Sequence, residues 1–313
     1  MRFSIIIPVY NRVAFLPRLF ASLTALTYRP LQIILIDDGS VDGSLDCCRN
    51  FQAQPHTDGL HITVLNGGHK GACAARNAGV HAAEGDYLYF FDSDDEMSPD
   101  FFRDVEQALA SAPSADLVCA RVRLYFPDGT TRVRDSLFSA SLSHQIISAM
   151  LSTQSMVIRK SFFQACGGWD ETLARWNDWE LGTRLLLRSP KVVWLERVYH
   201  KIHQHEASIT GRSFSLSSSD LKKSIEAVLK DTETANLSCE ELRKTHKALA
   251  LKATLLAAAI RRDNDPMTAQ AMRRWAVSRL FPSASLADRL ILYAAFRYAS
   301  AGGRGAWRLY RFL

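Results

Sequence analysis

The sequence predicts an α/β fold, with a mostly parallel central sheet flanked by helices and a helical extension at the C-terminus. Two observations carry that reading. Through the first hundred residues short apolar runs alternate with apolar residues at helical spacing, and beyond Gly211 strand signals fade. The first run, Phe3-Ser4-Ile5-Ile6-Ile7, is bounded by Pro8 and reads as a strand buried on both faces. Leu16, Leu19, Phe20, Leu23 and Leu26 follow a helical period that Tyr28-Arg29-Pro30 breaks. A second run over 31–36 ends in Asp37-Asp38-Gly39-Ser40. A helix through Leu45 and Phe51, a strand over 61–65, a helix over 72–83 and a strand over 87–91 come next. From about residue 115 the pattern is mixed, with strands near 117–124 and 192–195 and a helix beginning near Asp178. The Ser-rich stretch 213–220 reads as a linker. Helices are expected over 221–229, 240–260, 268–280 and 286–299, with a boundary near residue 215.

Composition excludes several classes. Of 313 residues, 47% are hydrophobic and 22% charged, which suits a packed globular chain and not a disordered or fibrous one. The longest stretch without Asp, Glu, Lys or Arg, 136–158, is dotted with Ser, Gln, Thr and His and does not read as a spanning helix. The chain enters its first strand too early for a secretory signal, so a cytoplasmic location is expected. Six Cys without a C-x-x-C pair read as reduced thiols. The net charge of +6 is uneven: residues 215–313 hold 17 Lys and Arg against 9 Asp and Glu, while residues 1–214 hold 21 against 23. No nucleic-acid-binding module accompanies the basic third, so nucleic acid is not an expected partner.

Polar clusters follow each early strand: Val9-Tyr10-Asn11, Asp37-Asp38, Asn66-Gly67-Gly68 and Asp92-Ser93-Asp94-Asp95. Parallel sheets bind ligands outside the carboxyl ends of their strands, so these clusters mark one rim and one cleft. Two carboxylates on the Asp92–Asp94 turn repel each other unless a cation sits between them, and oxygen ligands suit Mn²⁺ or Mg²⁺. The plainer reading is a turn capping the helix after Ser98-Pro99-Asp100. Asp38 is placed to accept hydrogen bonds from a base or ribose, or simply to close an acidic turn. The Gly-rich stretch to Gly71, with Lys70 and Arg76, suits phosphate. It is not G-x-G-x-x-G, which disfavours a dinucleotide cofactor.

Together these residues resemble the family 2 glycosyltransferases, inverting enzymes of the GT-A fold that use nucleotide-sugars. Ser4-Ile5-Ile6-Ile7-Pro8-Val9-Tyr10-Asn11, Ile36-Asp37-Asp38-Gly39-Ser40, Ala75-Arg76-Asn77 and Phe91-Asp92-Ser93-Asp94-Asp95 carry the resemblance in order and spacing over 3–102. It continues more loosely through Gly167-Gly168-Trp169-Asp170-Glu171 and Asn177-Asp178-Trp179-Glu180. The resemblance implies a catalytic domain over 1–214, with a nucleotide-binding half (1–115) and an acceptor half (116–214). It implies that Pro8, Val9, Tyr10 and Asn11 line the nucleotide pocket and that Asp38 reads uracil. Lys70 and Arg76 then meet the base or diphosphate, Asp92 and Ser93 lie at the ribose, and Asp94 holds Mn²⁺ or Mg²⁺. The family's acidic pair near the acceptor reads Glu-Asp; here it reads Asn177-Asp178, which leaves Asp178 as the candidate base.

An inverting transfer needs one carboxylate beside the incoming hydroxyl, since attack comes opposite the departing diphosphate. Asp178 fits that requirement; its alternatives are a helix cap and competition from Glu180. Among His200, His203 and His205, the last matches a family position that completes the metal's coordination or touches diphosphate, and a zinc site is the alternative. The expected reaction moves a hexose or N-acetylhexosamine from a UDP-sugar to a glycan or lipid-linked glycan. A sugar-nucleotide-binding protein without turnover and a sugar nucleotidyltransferase are the other readings. In the final segment, 286–313, five Arg are opposed only by Asp288 and accompanied by aromatics. That composition suits either a peripheral helix on the anionic cytoplasmic face of a membrane or a helix packed on the catalytic domain.

Overall fold

Successive side chains of a strand point to opposite faces, and here that alternation sorts the helices into two layers. In the computed structural model, which describes residues 2–56, 59–134, 141–204 and 213–313, β1 (Phe3–Val9) sends Phe3, Ile5 and Ile7 to one face and Ile6 to the other. The first face is covered by α1 (Leu16–Thr24), α2 (Ser44–Ala53) and α4 (Phe101–Ser111). The opposite face is covered by α3 (Ala72–Ala82), α6 (Lys160–Ala165) and α7 (Asn177–Leu186). Close approach on that side depends on Gly79 of α3, where a Cβ would stand 2.5 Å from the Ile6 side chain.

The remaining strands are β2 (Leu31–Asp37), β3 (Leu60–Asn66), β4 (Tyr87–Phe90), β5 (Leu117–Tyr125), β6 (Thr131–Val133), β7 (Met156–Arg159) and β8 (Val192–His203). The sheet order is β3-β2-β1-β4-β7-β5-β6, with β8 running along β5. The first four are mutually parallel, β7 is antiparallel to β4 and β5, and β8 is parallel to β5. This is the expected α/β architecture with a mostly parallel sheet. Sequence reading missed β6, β7, α5 (Leu142–Ser148) and α6, and it ended β8 at residue 195 although the strand continues to His203.

The C-terminal helices are α8 (Ser218–Thr234), α9 (Cys239–Arg262), α10 (Pro266–Trp275) and α11 (Leu286–Ser300). The expected linker is therefore shorter than 213–220, and the expected helix over 268–280 ends at Trp275 and continues as a π-turn over Ala276–Leu280. These helices share one apolar core with Ile146 and Ile147 of α5 and Trp179 of α7. α7 in turn packs closely on α5 and the segment after it, where a Cβ on Gly182 would meet Gln145 and Leu151 within 3 Å.

Candidate active site

The loops after β1 and β2 are fastened to each other. The Asn11 N–H donates to Ser40 Oγ (2.9 Å), and Asn11 Oδ1 accepts the Val41 N–H (2.9 Å). The Arg12 N–H donates to Ser44 Oγ (2.8 Å) and the Val13 N–H to Asp42 Oδ2 (3.0 Å). Asn11 sits at φ +50°, in the left-handed region that Asn tolerates better than most residues. Tyr10 is exposed and its ring lies 5.1 Å from that of His69. Pro8 is half-buried, while the Val9 side chain lies wholly in the core and only its backbone serves the loop, accepting the Asp38 N–H (2.8 Å).

Asp38 is buried, and its two carboxylate oxygens accept the N–H groups of Lys70 (2.8 Å) and Gly71 (2.7 Å). It thus shapes the Gly-rich loop before α3, and each oxygen keeps a second lone pair toward the rim. Gly67 lets the loop approach closely there, since a Cβ would stand 3.1 Å from Asp38 Oδ1 and that side chain would have to shift by a few tenths of an ångström. Lys70 itself is exposed.

Beside these strand ends lies an ionic network. Buried Arg76 donates from Nη2 to Asp92 Oδ1 (2.8 Å), and its guanidinium lies 4.5 Å from the Trp169 ring centroid. Its Nε and Nη1 have no hydrogen-bond partner among the described residues. A buried guanidinium with free donors is costly unless an anion completes it. Gln154 donates to both Asp92 Oδ2 (2.5 Å) and Asp95 Oδ2 (2.8 Å), and Asp95 Oδ1 accepts the His203 N–H (2.7 Å). Burial pushes the Asp92 carboxyl up, Arg76 opposes this, and Asp94 and Asp178 add to it. Burial, then Asp94 and Asp92, hold the Asp95 carboxyl well above the usual carboxylate range. Ser93 is buried beside them. Asp94 is only partly covered, with the Arg12 guanidinium 3.6 Å away and its carbonyl accepting from Arg18.

Asp178 opens α7, after Trp176 at φ +51°. Its Oδ1 accepts the Trp179 N–H (2.8 Å), and its charge adds weakly to the upward push on the Asp92 carboxyl. Glu180, the expected competitor, is a correction: it is 1% exposed and paired through both oxygens with Arg184 (2.6 and 2.9 Å), out of reach of any acceptor. From the C-terminal helices, Lys252 enters the same neighbourhood. Its ammonium lies 4.7 Å from the Trp176 ring and 5.5 Å from the Trp179 ring and donates to the Ile147 carbonyl (3.3 Å). Burial pushes the Lys252 amine down to about 8, against the pull of Asp178 and with help from Arg134.

The histidines divide. His200 is buried, pushed down to about 3 by burial, and bonded to Tyr89 and Ser98, so it is a neutral packing residue. His203 pairs with Glu96 (2.8 Å). His205 lies outside the described residues. Sequence reasoning did not find Gln154, Arg12 or Lys252. The first is a neutral residue before a strand of four residues, and the other two are unremarked cations in helix and loop.

The geometry agrees with the comparisons. The family model described as "Glycosyl transferase family 2" matches residues 4–169, more than half of the chain. An uncharacterized glycosyltransferase of Haemophilus influenzae is 40% identical over 97 residues, 31% of this chain and 38% of that protein. A second from the same organism is 28% identical over 192 residues, 58% of this chain and 61% of that protein. The chain thus covers less than two thirds of either relative's length. Among solved structures, S. aureus TarS 1–349 in complex with UDP-GlcNAc superposes with a TM-score of 0.70 at 18% identity, covering 99% of this chain and 90% of that one. The mannosyltransferase PcManGT from Pyrobaculum calidifontis, in complex with GDP-Man and Mn²⁺, gives 0.62 at 14%, covering 99% and 86%. Those two likenesses are of fold, and they extend through the C-terminal helices. With the family's strand-end clusters in place along one rim, this chain belongs to glycosyl transferase family 2.

Proposed function

We propose that the chain is a metal-dependent inverting glycosyltransferase that moves a hexose or N-acetylhexosamine from a UDP-sugar to a glycan or lipid-linked glycan, in the cytoplasm. The observation that carries this reading is Arg76: a buried guanidinium, held by Asp92 and Trp169, with two nitrogens that lack an acceptor among the described residues. A donor diphosphate supplies such acceptors, and Lys70 stands ready at the same rim. The UDP-GlcNAc bound by TarS supports a uridine donor, with Tyr10 and Asp38 toward the base.

The donor set fits a divalent cation. Asp92, Asp94 and Asp95 crowd one turn, and burial first, then the Asp94 and Asp92 charges, raise the Asp95 carboxyl. Among the described residues no three His, Cys, Asp or Glu form a ready cage, so a cation here rests on Asp94, with His205 as a further ligand, and on the donor's phosphates, as Mg²⁺ and Mn²⁺ sites commonly do. When bound, the cation neutralises charge that grows on the leaving diphosphate. Asp178 accepts the proton of the attacking hydroxyl on the far side of the sugar, and no second nucleophilic carboxylate is needed.

The test is a melting-temperature screen of the purified chain against UDP-, GDP- and TDP-sugars with and without Mn²⁺, followed by UDP release with acceptor. UDP-sugars should raise the midpoint more with Mn²⁺ than without. Asp178→Ala should keep that rise and lose turnover by at least about 100-fold. No stabilisation by any nucleotide, or unchanged turnover in Asp178→Ala, overturns the reading.

A further inference from the structure

From Pro266 to Leu313 the chain holds eight Arg, no Lys and a single acidic residue, Asp288. Asp288 is buried, with its carboxylate closing a capping box on Ser285 (2.7 and 2.9 Å) and facing Lys247 at 3.9 Å. The basic charge outside is therefore unopposed within this segment. α11 buries Leu292, Ala295, Phe296 and Ala299 in the C-terminal core. On its outer side Leu286 (75% exposed), Leu290 (60%), Tyr293 (43%) and Arg297 follow at steps of four, three and four, one straight stripe along the helix. Past α11 a 3-10 segment over Ala306–Phe312 exposes Trp307 and Phe312 beside Arg304, Arg308 and Arg311. Arg273 of α10 lies 5.4 Å from the Tyr293 ring and brings a further cation to the same side.

Among the described residues no helix is long and apolar enough to cross a membrane. The mixture of two exposed Leu, exposed aromatics and unopposed Arg is that of a helix lying in the plane of a bilayer surface. Nucleic acid would satisfy the arginines but offers Leu286 and Leu290 nothing to pack on. We propose that the outer stripe of α11, with the 3-10 segment after it, docks the chain onto an anionic phospholipid bilayer. Leu286, Leu290 and Tyr293 enter the boundary between headgroups and acyl chains, and the arginines pair with lipid phosphates. The inference goes beyond the proposed transfer and involves none of the cleft residues, so the two stand or fall separately.

The experiment is sedimentation of the full chain with phosphatidylcholine vesicles, with and without phosphatidylglycerol. Binding should require phosphatidylglycerol and weaken as salt is raised. Leu290→Asp, and separately the combined Arg304→Glu, Arg308→Glu and Arg311→Glu, should each lower the partition by about tenfold or more while the circular dichroism melt is retained. Equal binding to both vesicle types, no binding, or folded variants that bind as the parent does would overturn the proposal. So would tighter binding to single-stranded RNA than to the anionic vesicles at equal salt.

Discussion

At the scale of single residues, the cleft is organised by groups that hold carboxylates still. Gln154 is the clearest: 6% exposed, it supplies one amide to two aspartates that otherwise repel. Among the described residues, Gln154→Ala leaves the Asp95 carboxylate with only the His203 N–H and that of Asp92 with only Arg76 as hydrogen-bond donors. A loss of about 1–3 kcal/mol is expected, read as a lowered urea midpoint at unchanged slope. A midpoint equal to the parent's would show that the amide does not hold this pair. The acidic turn after β4 and the start of α7 near Asp178 were legible in the sequence, the first because it follows an apolar run and the second because helical spacing begins there. Gln154 was not, because an uncharged residue before the short, antiparallel β7 carries no periodic or charge signal.

At the scale of elements, the first turn of α7 is held from behind by the C-terminal helices. Arg175 donates to Ser217 Oγ (2.9 Å), Ser224 Oγ donates to the Arg175 carbonyl (2.5 Å), and Lys223 donates to the Thr172 carbonyl (2.7 Å). Lys252 adds its ammonium over Trp176 and Trp179. Its amine titrates near 8 in the folded chain and near 10.5 when unfolded, so between those values the unfolded chain binds more protons. Stability from this group therefore rises with pH across that window, and the charged form is penalised below it. The difference corresponds to about 3 kcal/mol, trimmed to about 2 by the water that reaches the partly exposed side chain. Lys252→Met should accordingly be at its most favourable relative to the parent at pH 7, and lose that advantage by pH 10.5, in paired urea titrations. A pH-independent difference would refute the burial. Lys252 was invisible in the sequence, one lysine among several on a long amphipathic helix, because only the packing of α9 on α5 and α7 gives it a site.

At the scale of the whole molecule, the two sides of residue 215 share side chains. Ile146, Ile147 and Trp179 complete the core of α8 to α11, and Trp179 also donates from Nε1 to the Ile146 carbonyl (2.9 Å). A chain cut to residues 1–214 should therefore expose this apolar face, and it is expected to melt at least about 10 °C lower than the full chain or to aggregate. An unchanged midpoint would mark 1–214 as an independent folding unit. The composition shift near 215 was legible because charge and strand signals change there together. The shared core was not, since the Ser-rich and uncharged stretch around 136–158 hides α5 and β7. The parallel half of the sheet was legible because β1, β2 and β4 are largely apolar, buried runs at regular intervals, and the half-buried β3 continues that rhythm.

One consequence follows from the bonds between the β1–α1 and β2–α2 loops. Asn11, Arg12 and Val13 on one side and Ser40, Val41, Asp42 and Ser44 on the other are interlocked, so the two stretches form one rigid part. Anyone exchanging either loop would have to transplant both segments as a matched cassette, since a graft of either alone leaves its counterpart's donors and acceptors without mates.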